Sequence, residues 1–230
     1  VGSKSVAIGQ GTLVNQNPGS ATDMNNVAIG HQAGNDITTG TGNVCLGSLA
    51  GDAITTGTDN ILIGRAVAAS AVDSANQIVM GDNVTGNANQ SFLFGKDSTD
   101  SAIAFGATTI TAPSDVRLKE DIQDEEIGLD FINNLRPVTF LWKKEKDIPS
   151  DLLAHKANSE KRTMNGQYNH GFIAQEVKDA MDKYDFKEGF DLWSEDEADG
   201  RQRVGESSLI PILVKAIQEL SAEIKNLKGE

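Results

Sequence analysis

Asn26-Val27-Ala28-Ile29-Gly30, Asn43-Val44-Cys45-Leu46-Gly47 and Asn60-Ile61-Leu62-Ile63-Gly64 are three copies of one phrase, spaced 17 residues apart. Looser copies run outward from them. Ser5-Val6-Ala7-Ile8-Gly9 precedes; Gln77-Ile78-Val79-Met80-Gly81, Ser91-Phe92-Leu93-Phe94-Gly95 and Ala102-Ile103-Ala104-Phe105-Gly106 follow. Between units lie turn-rich strings such as Ile37-Thr38-Thr39-Gly40-Thr41-Gly42. Short apolar runs bounded by Gly, Asn and Thr read as strands with turns between them. A fixed period of this length is one coil of a β-solenoid or β-roll, and each phrase is expected to supply one coil. The closing glycines stand where the chain must turn sharply, often at positive φ. One short strand per coil buries only a narrow face, so stacked coils and packing of identical chains about an axis are expected to supply the rest.

The repeat stops near residue 113, and the composition changes with it. Residues 1–113 hold three Lys/Arg, eight Asp and no Glu, whereas residues 114–230 hold 17 Lys/Arg and 25 Asp/Glu. Glycine falls from 16 to seven across the same seam. Two folding units are therefore expected, 1–113 and 114–230. The net charge of −13 disfavours binding to nucleic-acid phosphates and to anionic membrane surfaces. No apolar run approaches the length of a membrane span, and no signal peptide opens the chain. The opening Val1-Gly2-Ser3 leaves room for an upstream part. Cys45 is the sole cysteine, so no internal disulfide forms, which fits folding in a reducing cytoplasm. The Gly-rich strings lack a following Gly-Lys-Ser/Thr and read as architecture rather than a phosphate loop.

Beyond the seam the periodicity changes. Ile127, Leu129, Ile132 and Leu135 suit a short helix ended by Pro137. Val138-Thr139-Phe140-Leu141-Trp142 alternates as a strand, residues 143–165 read as a long loop, and Gly171–Val177 begins as a buried strand running into a helix through Met181. A hairpin is expected around Asp199-Gly200. Ile210, Leu213, Ile217, Leu220, Ile224 and Leu227 alternate by three and four, the a/d pattern of a coiled coil over 208–228. Ser208 is placed to cap that helix, and Pro211 sits in its first turn.

The Asn-x-Val-Ala-Ile-Gly phrase resembles the head repeats of trimeric bacterial adhesins and the β-rich shafts of phage tail fibres. Residues 114–230 resemble the intramolecular chaperone domain of phage tailspikes, tail fibres and neck appendages, the S74 peptidase family. That resemblance rests on Ser114-Asp115-Val116-Arg117-Leu118-Lys119, on Leu135-Arg136-Pro137-Val138 leading to Phe140 and Trp142, on Gly171-Phe172-Ile173-Ala174-Gln175-Glu176-Val177, and on Leu209-Ile210-Pro211 running into Val214–Leu220. The fold class it implies is mixed: an all-β repeat, as a trimeric β-roll or β-helix, then an α+β chaperone domain ending in a coiled-coil helix. It also implies a domain that helps the upstream fibre trimerise and then cuts itself off. Ser114 matches the nucleophile and Lys119 its basic partner, which makes Pro113–Ser114 the cleaved bond.

A lysine in water is neutral in roughly one molecule in 10³ at pH 7, so a lysine base needs desolvation that a packed trimer can supply. Residues five apart face opposite ways on a strand and about 140° apart on a helix. Segment 114–119 must therefore bend, or the pair must form between chains. Asp115, Arg117 and His170 are candidate assisting residues. No cofactor and no metal are expected. Glu195, Glu197, Asp199, Gly200 and Glu206 have the spacing of an EF-hand loop. Glutamates at its first two positions and Gln202 favour a solvated hairpin instead. The expected partners are two further copies of the chain, the upstream segment as folding client and a host-cell surface receptor. The expected setting is a virion appendage folded in the host cytoplasm. The alternative is a surface adhesin with a permanent, non-cleaving trimer anchor. A released membrane-linked transcription factor is disfavoured by the repeats and by the lack of a basic DNA-binding segment.

Overall fold

The structure is a computed structural model that describes residues 4–229. It forms two compact units, Val1–Glu120 and Asp121–Glu230.

The first unit is a β-solenoid of about five turns. Its strands β1 (Val6–Ile8), β2 (Val27–Ile29), β3 (Val44–Leu46), β4 (Ile61–Arg65), β5 (Gln77–Asp82) and β6 (Ser91–Lys96) stack in sequence order as one parallel sheet. The register aligns the phrases: Val27 lies on Val44, Val44 on Ile61 and Ile61 on Ile78. From the second phrase to the sixth, the middle residue of the apolar triplet points inward: Ala28, Cys45, Leu62, Val79 and Leu93 are all buried, while Ala7 of β1 is exposed. Ala33, Ala50, Val67 and Val84 fill the core from a second side, Ile37 and Ile54 from a third. Burial pushes the Cys45 thiol up to about 12, with the nearby Asp52 charge adding to it.

The polar residue that opens each phrase is also inside. Asn26, Asn43, Asn60 and Gln77 are fully buried. Asn43 Nδ2 donates to the Gly57 carbonyl at 2.8 Å, Asn60 Nδ2 to the Ser74 carbonyl at 2.8 Å, and Asn60 N to Asn43 Oδ1 at 3.2 Å. Each amide thus satisfies backbone groups of its own coil and of the next. A buried polar group costs about 1–3 kcal/mol when unpaired, and repetition lets every rung pair. The glycines close the coils for a steric reason as well as a conformational one. Gly64 has φ +127°, and a Cβ there would lie 1.7 Å from the Gly81 carbonyl oxygen.

The seventh phrase departs from expectation. β7 (Thr99–Ala104) runs antiparallel to β6, with Lys96 paired to Thr99. Two residues, Asp97 and Ser98, cannot circle the core, so Ala102–Gly106 returns as a hairpin instead of making a coil.

In the second unit α1 (Leu129–Asn134), α2 (Ala174–Met181) and α3 (Leu209–Lys228) pack around Phe131, Val177, Ala180, Leu192, Leu209 and Ile212. Phe131 meets Tyr184 and Phe186 edge-on, with centroids at 5.3 and 5.0 Å. Gly128 cannot cap α1 with a side chain, and Glu219 of α3 does so, accepting from Leu129 N at 2.7 Å. Short antiparallel pairs complete the unit: β8 (Val138–Phe140) with β9 (Asn169–Gly171), and β10 (Trp193–Glu195) with β11 (Gln202–Val204).

Three local expectations shift. The strand from Val138 ends at Phe140, because β9 offers three residues and Arg162 takes the Trp142 carbonyl. β9 lies ahead of Phe172 and is only half-buried. Ser208 makes no side-chain cap: a 3₁₀ turn over Glu206–Ser208 runs straight into α3. Residues 143–165 form a loop tied by a bridge between Lys144 and Arg162 and by Glu160, which accepts from Lys144 and Lys146.

Candidate active site

Ser114 and Lys119 meet. Lys119 Nζ donates to Ser114 Oγ at 2.7 Å, within one chain, and both residues belong to the first unit. The bend is a 3₁₀ turn over Val116–Leu118. Asp115 builds it: its carboxylate accepts from Arg117 N at 2.9 Å, in the manner of an N-cap. The turn closes with Leu118 N on the Asp115 carbonyl at 3.0 Å and Lys119 N on the Val116 carbonyl at 3.2 Å. The Arg117 guanidinium also forks onto Asp115, Nε to Oδ1 at 3.0 Å and Nη2 to Oδ2 at 2.5 Å. That contact, with the Arg117 backbone N–H second, holds the Asp115 carboxyl below its usual range. Asp115 and Arg117 are therefore placed as the frame of the turn that brings the lysine back to the serine.

All six residues of the segment are exposed in the single chain, and Val116 and Leu118 present apolar side chains beside the pair. Transfer of the serine proton to the amine needs a neutral lysine, a form that desolvation favours, and both side chains are open to solvent in the single chain.

His170 lies on β9 of the second unit, opposite Thr139, at a cleft of about 490 Å³ also lined by Pro137, Phe172 and Glu206. The Leu135–Val138 and Gly171–Val177 segments, far apart in sequence, are joined by a forked ion pair. Arg136 Nε donates to Glu176 Oε2 at 2.9 Å, and its Nη2 to Oε1. Each partner stabilises the charged form of the other. The acidic stretch forms the hairpin β10–β11, where Asp199 accepts from Leu153 N and Arg201 N. Among the described residues no group of three or more His, Cys, Asp or Glu is placed to hold a metal. Nor, among them, is any helix long and apolar enough to cross a membrane.

One feature of the second unit was only half legible in the sequence. α3 turns Leu209, Ile212 and Ala216 inward, and leaves Ile210, Leu213, Ile217, Leu220, Ile224 and Leu227 exposed. The a/d residues are thus a second apolar stripe, separate from the one that holds the unit together.

Residues 114–186 match the family model described as the chaperone of endosialidase, Peptidase_S74. That match supports an S74 chaperone domain over these residues. The match begins at Ser114 itself and takes in the hexapeptide, Arg136 and Glu176. An S74 domain supports a chaperone role in trimer folding, and the family in general is a self-cleaving peptidase. No curated protein and no solved structure matches the chain.

Proposed function

We propose that this chain is the C-terminal part of a viral tail fibre or appendage whose S74 domain drives homotrimer folding and then releases itself at Pro113–Ser114. The observation that carries the reading is the 2.7 Å contact between Lys119 Nζ and Ser114 Oγ, at the first residue of the family match. Once Lys119 has lost its proton, it takes the Ser114 hydroxyl proton as the oxygen attacks the Pro113 carbonyl carbon. The Pro113–Ser114 C–N bond breaks, Lys119 returns the proton to the departing Ser114 nitrogen, and an ester joins Pro113 to Ser114 Oγ. Water then hydrolyses the ester, giving a carboxylate at Pro113 and a free amine at Ser114. Asp115 and Arg117 hold the turn.

Assembly supplies the missing desolvation. Two apolar surfaces suit self-association: the exposed stripe of α3, and the outer face of the solenoid sheet, where Val6, Ile8, Ile29, Ile61, Met80 and Phe94 are exposed. Three copies meeting on these surfaces bring their solenoids into register, and the neighbouring chains exclude water from the Ser–Lys pair. The mature fibre then serves host attachment, outside the chaperone's own chemistry.

Denaturing electrophoresis and mass measurement of freshly expressed chain test the reading. The expected products are 1–113 and 114–230. Ser114→Ala should abolish cutting and leave folding and association intact. Lys119→Arg should abolish it as well, because a guanidinium does not deprotonate in proteins. Continued processing of either variant would remove that residue from the chemistry.

A further inference from the structure

After β7 the chain turns at Gly106 and comes back along the last strand. Thr111 pairs there with Ala102: Thr111 N donates to the Ala102 carbonyl at 2.7 Å and Ala102 N to the Thr111 carbonyl at 2.8 Å. The Thr111 hydroxyl adds a third bond to the same Ala102 carbonyl, at 3.1 Å. Ala102 is buried at the end of the solenoid core and stands opposite Leu93 of β6. The clasp is therefore fastened to the residue that takes the last inward position of the solenoid when β6 and β7 pair. Downstream of it, Ala112 and Pro113 border a cleft of about 340 Å³ with Thr85, Asn87, Leu93 and Asp100. Pro113 fixes its own φ and keeps Ala112 extended. One residue further on, Ser114 is held by Lys119.

We propose that the Ala102–Thr111 clasp positions the scissile bond, so that Pro113–Ser114 is cut only after the end of the solenoid has folded. The inference rests on the cleavage reading above. The bond lies between two closures, the clasp upstream and the Ser114–Lys119 contact downstream, with only Ala112 and Pro113 between Thr111 and Ser114. Attack needs the Pro113 carbonyl fixed relative to the hydroxyl, and a misplacement of about 1 Å costs on the order of 100-fold in rate. An unpaired β7 leaves the carbonyl untethered. Cutting then reports the folding of the client as well as the joining of three chains. Because the clasp lies wholly upstream of the cut, the released solenoid keeps its terminal hairpin closed.

The test is a cleavage time course on the full chain, followed by denaturing electrophoresis. Two glycines inserted between Thr111 and Ala112 leave the clasp intact but uncouple it from the bond. Cleavage should slow by about tenfold or more, with circular dichroism and oligomer size unchanged. Thr111→Pro deletes two of the three clasp donors, the backbone N–H and the hydroxyl, and should slow cleavage similarly. Thr111→Val keeps both backbone bonds and should cut within about threefold of the unaltered chain, since only the side-chain bond is lost. If Thr111→Pro does not fold, the insertion decides. An insertion variant that cuts as fast as the unaltered chain overturns the clasp. An unaltered chain that is never cut at 113–114 overturns the cleavage reading instead, so the two failures are distinct.

Discussion

From β2 to β6 the solenoid buries the middle residue of each apolar triplet and leaves an outer face to its neighbours, whereas the second unit buries one stripe of α3 and leaves another bare. Both thus carry an apolar surface unused within the chain, but they hold themselves together differently. The solenoid relies on identity between coils, with Asn on Asn, glycine on glycine and one inward side chain per strand. The second unit relies on a few aromatic and aliphatic side chains around Phe131, drawn from distant elements. An error in the first should therefore spread along the stack, and an error in the second should stay local.

The largest expected effect follows from that contrast. In Gly64→Ala the new Cβ would meet the Gly81 carbonyl oxygen in a backbone conformation that alanine resists. Overpacking against backbone together with positive-φ strain should cost roughly 3–5 kcal/mol. Gly19→Ala is the control: φ is +67° but nothing lies within 4 Å of the added Cβ, so strain alone should cost about 1 kcal/mol. Denaturant unfolding of the solenoid separates the two. Equal losses would mean that coil stacking does not demand glycine at position 64.

The solenoid was legible because its signals are local. A phrase and its closing glycine can be read from five consecutive residues, the period from one phrase to the next, and the register follows once one coil is placed. The same reasoning failed at Ala102–Gly106, which repeats the composition without the spacing. Gly106 follows Gly95 at a spacing of eleven, too short for a coil, and the two-residue turn at Asp97-Ser98 decides the outcome. At the candidate site the residue pair was readable but its geometry was not. The bend that unites Ser114 with Lys119 depends on Asp115 accepting from the backbone two residues on, a short-range competition that no period announces. In α3 the a/d stripe was plain, yet Ile212 and Ala216 were invisible as core, since the helix they face, α1, lies about eighty residues earlier in the chain.

A pair of substitutions in α3 sharpens that last point. Ile212 is 0% exposed and Ile217 is 64% exposed on the same helix. Ile212→Ala should destabilise the second unit by about 2–5 kcal/mol, through lost burial and an unfilled cavity. Ile217→Ala should change the stability of the isolated fold by less than about 0.5 kcal/mol, as surface substitutions do. Its effect should appear in sedimentation instead, as a shift toward lower mass if the exposed stripe joins chains. Loss of fold in Ile217→Ala, with association untouched, would assign that face to the core.

The smallest effect concerns the hairpin β10–β11, where polar contacts stand in for a core. Asp196 accepts from Arg203 Nε at 2.5 Å and Arg201 Nη2 at 2.9 Å, and these contacts, Arg203 foremost, lower its carboxyl to about 2. The unfolded carboxyl titrates near its ordinary value of 3.8, so the folded form binds its proton less readily. The stabilisation is therefore complete above about pH 4 and vanishes as pH falls through about 2. Trp193 reports on this directly, lying on β10 with its Nε1 on Gln202 Oε1 at 3.1 Å and Lys178 Nζ 5.3 Å from its ring centre. In a Trp142→Phe background Trp193 supplies the only indole emission. That emission should hold steady from pH 7 to about 4 and shift in the window below. Asp196→Asn should already show the shifted emission at neutral pH and respond little to acid. An Asp196→Asn chain that still reproduces the acid transition would place the sensitive carboxylate elsewhere in the unit, with Glu160 the next to test, since Lys144 and Lys146 also lower it to about 2.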